Sequence, residues 1–242
     1  MKICGISDLH GKCPDLIVEP CDVLFICGDI VPLRMQRNVP QSFSWFRKEF
    51  IPWCNKQPVD KIYMVGGNHD FFLVNEAEAK EHLIDTNVTL LYNESAEYMD
   101  NNSKVWTIWG TPLCHLFGNW AFMNHDDYNK TQYEKMPENV DFLITHDAAF
   151  ENSDQCLGFK YQYDRHLHRG NIALKEVIDQ KHPKYHLFGH LHTCDHNMIN
   201  YNGINTVCVS LLDEEYNRAY DPFYLCLEYL GYQERWVLEK IL

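Results

Sequence analysis

Short apolar runs, several of them ending in polar side chains that can bind metal ions, constrain the fold of this chain more than any other feature. Runs this short and this rich in β-branched and aromatic residues are typical of strands that are covered on both faces. The sequence therefore predicts buried strands at Lys2–Ser7, Val23–Cys27, Lys61–Val65, Val105–Trp109, Asp141–Thr145, Tyr185–Phe188 and Thr206–Leu211. Two further runs, Val88–Tyr92 and Phe223–Tyr229, alternate more in polarity and are expected in a second sheet or at a sheet edge.

Amphipathic stretches between these strands predict helices at Ser42–Lys56, Glu76–Asp85 and Asn171–Lys181. Asn75 is placed to cap the second helix, and Pro52 is expected to kink or end the first because proline lacks an amide hydrogen. Alternating strands and helices indicate an α/β architecture. Because no repeat, low-complexity tract or proline-rich linker interrupts the chain, we expect residues 1–242 to form a single domain.

The overall charge restricts the class of substrate. The chain has 34 acidic and 21 basic side chains and a formal net charge of −13. Binding to long nucleic acid needs a basic surface that displaces counterions, so such a partner is not expected. A small anionic substrate is compatible with this charge, because bound metal ions can reverse the local field.

Cysteine usage and hydropathy indicate the cellular compartment. The ten cysteines are scattered and form no Cys-x-x-Cys pair, which argues against a structural zinc ribbon. The sequence has no apolar signal segment and no stretch of about 18 apolar residues that could span a bilayer. We therefore expect a soluble, cytoplasmic protein with reduced thiols and no membrane partner.

Five of the predicted strands are followed directly by aspartate, asparagine or histidine side chains. These clusters are Asp8-Leu9-His10, Gly28-Asp29, Gly66-Gly67-Asn68-His69-Asp70, His146-Asp147 and Gly189-His190-Leu191-His192. Ligands of open α/β sheets bind beyond the carboxyl ends of the strands. The five clusters are therefore expected to converge on one site, although they lie far apart in the sequence.

The side-chain types in these clusters suit a pair of divalent cations. A mixed carboxylate, amide and imidazole set can bind manganese, iron, zinc or magnesium, and two such ions about 3.5–4 Å apart are used in phosphoryl chemistry. Single clusters have ordinary explanations, such as Asp8 in a helix cap or Gly28-Asp29 in a turn. His190 and His192 are more specific, because alternation places both imidazoles on one side of an extended segment.

In their order along the chain, from Asp8 to His192, the clusters resemble the signature of the calcineurin-like metallophosphoesterase superfamily. That signature is Asp-x-His, Gly-Asp, Gly-Asn-His-Asp, a later His and Gly-His-x-His, and every part of it is present. Segments 105–112, 119–122 and 183–192 are similar to the branch of metallophosphoesterase-domain-containing proteins, which resembles class III cyclic nucleotide phosphodiesterases. That branch usually has Gly-Pro-Pro where this chain has Asp147-Ala148-Ala149.

The resemblance implies a two-sheet β-sandwich flanked by helices, with two divalent metal ions as cofactors. It implies that one ion is held by Asp8, His10 and His192, the other by Asn68, His146 and His190, and that Asp29 bridges them. It also implies that His69 contacts the substrate phosphate and protonates the leaving oxygen. Asp70 is expected to orient the His69 ring, as carboxylates often fix an imidazole.

The implied reaction is hydrolysis of a small phosphodiester, with cyclic nucleotides as the leading class, by attack of a metal-bridging hydroxide. The alternatives are a phosphomonoesterase or nuclease on the same scaffold, and a metal-binding interaction module without activity. Candidate substrate contacts are Arg165 and His168, within the segment Asp164–Gly170 before the third predicted helix. An ordinary solvated loop explains that segment at least as well.

Overall fold

The computed structural model describes residues 1–155, 168–230 and 233–237. Its strands are β1 (Lys2–Ile6), β2 (Cys21–Cys27), β3 (Val59–Val65), β4 (Val88–Leu90), β5 (Glu94–Met99), β6 (Val105–Thr111), β7 (Phe142–Thr145), β8 (Tyr185–Phe188), β9 (Ile199–Tyr201), β10 (Ile204–Cys208), β11 (Phe223–Leu230) and β12 (Gln233–Val237). Its α-helices are α1 (Val39–Trp45), α2 (Ile51–Cys54), α3 (Glu76–Glu81), α4 (Asp126–Tyr133) and α5 (Ile172–Lys181). A π-helical turn over Phe46–Phe50 joins α1 to α2, and short 3-10 turns lie at Leu33–Met35 and Phe71–Val74.

The strands form two six-stranded sheets with parallel centres. The first sheet has the order β12-β11-β1-β2-β3-β4, in which β1 to β4 are parallel and β11 pairs antiparallel with both β1 and β12. The second has the order β5-β6-β7-β8-β10-β9, in which the four inner strands are parallel and the two outer strands antiparallel. The predicted class, an α/β sandwich of two sheets flanked by helices, is confirmed.

Side chains on the inner strands point alternately to the two faces of each sheet and so contribute to a separate hydrophobic core on each face. On β2, Val23 and Phe25 pack into the core between the two sheets, whereas Leu24 and Ile26 pack into the core shared with α1 to α3. Successive strand residues point to opposite faces, so a strand that is covered on both faces is apolar throughout. On the far side, the second sheet packs against α4 and α5 through a third core, which includes Leu174.

Helical structure continues across Pro52, so of the two expected effects, a kink or an end of the first helix, the end is wrong and a distorted turn is found instead. The π-helical turn Phe46–Phe50 directly precedes α2, in which Pro52 lies. Proline donates no hydrogen bond and its ring collides with the carbonyl four residues earlier, so a wider turn relieves the collision. The other two predicted helices begin where expected, because the side chains of Asn75 and Asn171 each accept a hydrogen bond from a backbone amide in the first turn.

Cysteine side chains contribute to the packing. The nine cysteines in the described ranges are free thiols, and burial raises the pKa of several of them, including Cys27 and Cys54. Buried thiols of this kind behave as small apolar side chains. Among the described helices, none is long and apolar enough to cross a membrane.

Candidate metal centre and active site

Carboxyl ends of parallel strands from both sheets meet at one edge of the sandwich. Each of these strands is followed, within one to three residues, by a candidate metal ligand: Asp8, Asp29, Asn68, His146 and His190. Backbone hydrogen bonds tie the strand ends together: Asp8 N donates to Gly28 O at 3.0 Å, and Gly189 N donates to His146 O at 3.1 Å. The five clusters that follow the predicted strands are therefore adjacent in space.

The backbone at this edge adopts unusual conformations. Positive φ angles occur at Asp8 (56°), His10 (42°), Asp29 (52°) and His190 (68°). Such conformations are unfavourable for residues other than glycine, and they concentrate at functional sites where the surroundings enforce them. Gly28 has a φ of 96°, and a Cβ there would lie 2.6 Å from His146 Nδ1. Close approach of the backbones at Gly28 is thus required for side chains of separate strands to converge.

One group of candidate ligands contains Asp8, His10 and His192, which offer ligand atoms within 4.8 Å of one another. His192 Nε2 lies 3.2 Å from Asp8 Oδ1, and its Nδ1 lies 2.8 Å from the carbonyl oxygen of Asp213. Since a carbonyl oxygen only accepts, Nδ1 carries a hydrogen, and Nε2 is the ring nitrogen on the side of Asp8. Ser210 Oγ donates to the other oxygen of Asp8 at 2.6 Å.

Asp29 lies at the centre of the candidate ligands. Its Oδ2 is 3.4 Å from His146 Nε2, 3.7 Å from His10 Nε2 and 3.8 Å from His69 Nε2. The His69 backbone amide also donates to Asp29 Oδ1 at 2.8 Å. One buried carboxylate is therefore close to imidazoles from three separate parts of the site.

A second side of the site contains Asn68, His146 and His190. His146 Nε2 is 2.9 Å from Asn68 Oδ1, and His146 Nδ1 donates to Cys27 O at 2.8 Å. This backbone contact fixes the tautomer in the same way as at His192, with Nε2 on the side of the carboxylates. The His190 ring centroid lies 5.1 Å from that of His146, and the His190 amide donates to Asp8 Oδ2 at 3.0 Å.

Charges at the site shift the pKa values of its members. Burial lowers the pKa of His146, but the Asp29 carboxylate outweighs this effect and raises it to about 10. At His192 the Asp8 carboxylate likewise outweighs burial and raises the pKa to about 9. Burial dominates at His10 and lowers its pKa to about 4. Burial opposes ionisation of Asp8 and Asp29, yet the surrounding imidazoles hold both carboxyl pKa values below the ordinary range. The two buried carboxylates therefore stay ionised, and metal cations can take the place of the imidazole protons that compensate them.

The donor set fits divalent metal ions. Within the described ranges, neither ring nitrogen of the buried His10 has a hydrogen-bond partner. An unpaired buried polar atom costs about 1–3 kcal/mol, and a cation beside Asp8 and Asp29 would give His10 Nε2 a partner. Carboxylate, amide and imidazole ligands are those expected of manganese, iron or zinc sites.

The surroundings of His69 differ from the prediction in one respect. Gln36 Oε1, and not the carboxylate of Asp70, contacts His69 Nδ1. The buried Asp70 carboxylate instead accepts hydrogen bonds of 2.9–3.2 Å from the backbone amides of Ile30, Val31 and Gly67. The predicted orienting role of Asp70 is therefore corrected: Asp70 fixes the backbone turn that carries His69, and Gln36 fixes the ring.

A cavity of about 560 Å³ opens over this site. Its walls include Phe117, Trp120 and Tyr216, which come from segments without a recognisable metal-binding pattern. The Trp120 ring lies 4.6 Å from His69, and the Phe117 ring lies 5.2 Å from His190. The sequence carries no signal that would place Gln36 or Phe117 at a binding site.

The two predicted substrate contacts are Arg165 and His168. Arg165 is outside the described residues. His168 is described, but its Nδ1 lies 2.5 Å from Asp154 Oδ1, and the cavity is lined by the next residue, Arg169. Among the described residues of this segment, Arg169 and not His168 lines the cavity. His115 also lines this cavity and was not singled out in the sequence.

Comparisons with known proteins give related results. Residues 1–194 match the family model described as calcineurin-like phosphoesterase. The chain is 24% identical over 207 residues to human metallophosphoesterase domain-containing protein 1, covering 77% of this chain and 59% of that protein. It is 25% identical over 202 residues to the probable rhamnogalacturonate lyase C of Emericella nidulans, covering 79% of this chain and 17% of that protein. The chain thus spans less than two thirds of the length of these curated relatives.

A solved structure shows the same fold. Phosphopantetheinyl hydrolase from Mycobacterium tuberculosis superposes with a TM-score of 0.55 at 14% identity, covering 89% of this chain and 90% of that chain. At this identity the likeness concerns the fold alone. The family model covers most of the sequence and every motif residue from Asp8 to His192. The chain belongs to the calcineurin-like phosphoesterase family.

Proposed function

We propose that this protein hydrolyses a small phosphodiester at a pair of divalent metal ions. The observation that carries the proposal is the position of Asp29, whose Oδ2 lies within 3.8 Å of Nε2 atoms of three histidines. A carboxylate in that position can serve two ions and reduce their mutual repulsion. Membership of the calcineurin-like phosphoesterase family supports the metal dependence and the reaction class.

Six other residues divide into two sets around Asp29. We assign Asp8, His10 and His192 to one ion, and Asn68, His146 and His190 to the other. The carbonyl contacts at Nδ1 of His146 and His192 support this assignment, because they leave Nε2 available for a metal. When bound, such ions neutralise charge on phosphoryl oxygens and lower the pKa of a water molecule.

His69 is the proposed donor of the proton to the leaving oxygen. It lines the cavity, and its ring is held between the Gln36 contact at Nδ1 and the Trp120 ring. With an amide oxygen as acceptor, Nδ1 keeps its hydrogen, and Nε2 carries the transferable proton in the imidazolium form of the ring. Burial lowers the pKa of His69 by more than the Asp29 carboxylate raises it, which favours release of that proton.

The cavity limits the size of the substrate. Its volume of about 560 Å³ lies within the usual range for small-molecule sites. Phe117 and Trp120 offer aromatic surfaces beside the proposed metal ligands, which suits a phosphoester with a planar or apolar group. The net charge of −13 disfavours a nuclease that acts on long nucleic acid.

A substrate panel tests this proposal. We expect manganese-dependent hydrolysis of bis(p-nitrophenyl) phosphate and of cyclic nucleotides, with slower hydrolysis of p-nitrophenyl phosphate. Asp29→Asn should lower the rate by more than about 100-fold, since even outer-shell partners of metals are worth about 10–100-fold. The matched control is Asp127→Asn, which removes an exposed carboxylate on α4 and should keep full activity. Faster hydrolysis of the monoester would overturn the diester assignment, and no hydrolysis with any metal would overturn the proposal.

A further inference from the structure

A second histidine–aspartate pair lies at the same cavity, outside the proposed ligands. The backbone amide and the ring Nδ1 of His115 both donate to Asp147 Oδ2 at 2.8 Å. Asn171 Nδ2 donates to the same oxygen at 3.1 Å. Asp147 is completely buried, whereas His115 is half-buried and lines the cavity. Three donors therefore hold one carboxylate oxygen behind a histidine that faces the ligand space.

This arrangement prepares His115 to carry a positive charge. A buried carboxylate is costly unless a partner compensates its charge, and the imidazolium form of His115 is that partner. Burial lowers the pKa of His115, but the hydrogen bond and charge of Asp147 outweigh it and raise the pKa. Because Nδ1 is used by Asp147, Nε2–H is the ring donor left for a ligand.

Two further residues place this charge beside the proposed metal centre. The Phe117 ring lies 5.3 Å from that of His115 and 5.2 Å from that of His190, so one aromatic ring separates the two histidines. Arg169 lines the same cavity and adds a guanidinium, which pairs well with phosphate and carboxylate oxygens. An arginine and a histidine with a raised pKa thus line one cavity of a chain with a net charge of −13.

We propose that His115, held by Asp147, and Arg169 form an anion subsite that binds a second phosphate group of the substrate. This inference rests on the proposed function and deepens it: the preferred phosphoester carries a negatively charged group besides the ester that is cleaved. His168 offers a natural comparison, because it forms a similar pair with Asp154 but does not line the cavity.

Calorimetric titration of the manganese-loaded protein with adenosine 5′-monophosphate and adenosine 3′,5′-bisphosphate tests the subsite. The bisphosphate should bind about tenfold tighter or more, the usual worth of one charge-assisted hydrogen bond. His115→Gln and Arg169→Gln should each remove most of this advantage while affinity for the monophosphate changes by less than about threefold. The matched control, His168→Gln, should keep the advantage.

Equal affinities of the unmodified protein for the two nucleotides would overturn the subsite. If His115→Gln or Arg169→Gln still bound the bisphosphate more tightly than the monophosphate by the same factor, the subsite would also be overturned. Arg169 is exposed, so its variant remains a test if His115→Gln misfolds. The subsite and the proposed function fail separately. If the protein hydrolyses phosphodiesters but binds the two nucleotides equally, the proposed function stands and the subsite is rejected. If it binds the bisphosphate more tightly but hydrolyses no phosphodiester, the subsite stands and the proposed function is rejected.

Discussion

Replacement of His69 by alanine is expected to remove proton delivery while leaving metal binding intact. The side chain contacts Gln36 and Trp120, whereas the hydrogen bond from the His69 backbone amide to Asp29 Oδ1 survives the substitution. None of the proposed ligand atoms belongs to His69. His69→Ala should therefore retain both metal ions and lose only the donor of the proton.

The expected loss of hydrolysis rate in His69→Ala follows from the role of His69 as a general acid. A positioned general acid is worth about 10²–10⁴-fold in rate, which corresponds to about 3–5.5 kcal/mol of transition-state stabilisation. The side chain of His69 is 13% exposed, so bulk water is a poor substitute for it at the leaving oxygen. A diester with an alkoxide leaving group should lose this full factor. A p-nitrophenyl ester, whose leaving group needs little protonation, should lose less than about tenfold.

The assay compares turnover of both ester types by the variant, with the metal content of each preparation confirmed. The matched control is His125→Ala, which removes an exposed histidine before α4 and should change neither rate. Gln36→Leu removes the contact that holds the ring and should reproduce the leaving-group dependence with a loss of about 10–100-fold. Equal losses on the two esters would mean that His69 positions the phosphate, and loss of metal would make it a ligand.

Three further outcomes are expected. Asp29→Ala should empty or disorder both metal positions, whereas His10→Ala should leave the metal ion at the other position bound. Equal metal content in the two variants would refute the bridging role of Asp29. Asp70→Ala leaves three buried amides without an acceptor, so the free energy of unfolding should fall by about 3 kcal/mol or more in urea titrations. A change below about 0.5 kcal/mol would contradict this role. In the metal-free protein, folding raises the pKa of His146 from 6.5 to about 10 and of His192 from 6.5 to about 9. The folded state then binds more protons, so the stability from these groups is complete below pH 6.5 and is lost as pH rises through about 9 to 10. Unfolding midpoints that rise over that window would contradict the assignment.

The position of the site could be predicted from the sequence because each cluster directly follows a buried strand. Parallel strands end at one edge, so Asp8, Asn68 and His146 had to lie near one another once the strands were recognised. The pattern of apolar residues that identifies helices and strands is weak in other parts of the chain. α4 (DDYNKTQY) has almost no apolar face, and β5 (ESAEYM) is a half-exposed edge strand, so neither was predicted.

Side-chain direction in loops could not be predicted in this way. Asp70 is next to His69 in the sequence, but it precedes a 3-10 turn and points toward the amides of Ile30 and Val31, about 40 residues earlier in the chain. His168 and Arg169 are neighbours that face different surroundings. In both cases the partner is supplied by tertiary packing, for which a single sequence carries no pattern.

We propose that Asp29 bridges two divalent ions. Electron paramagnetic resonance of the protein, reconstituted with two equivalents of Mn²⁺, tests this claim most directly. Two ions about 3.5–4 Å apart and joined by a carboxylate should give the multiline spectrum of an exchange-coupled pair. The Asp29→Ala variant should lose that spectrum. A spectrum of isolated Mn²⁺ in the unmodified protein, with one ion bound per chain, would contradict the account.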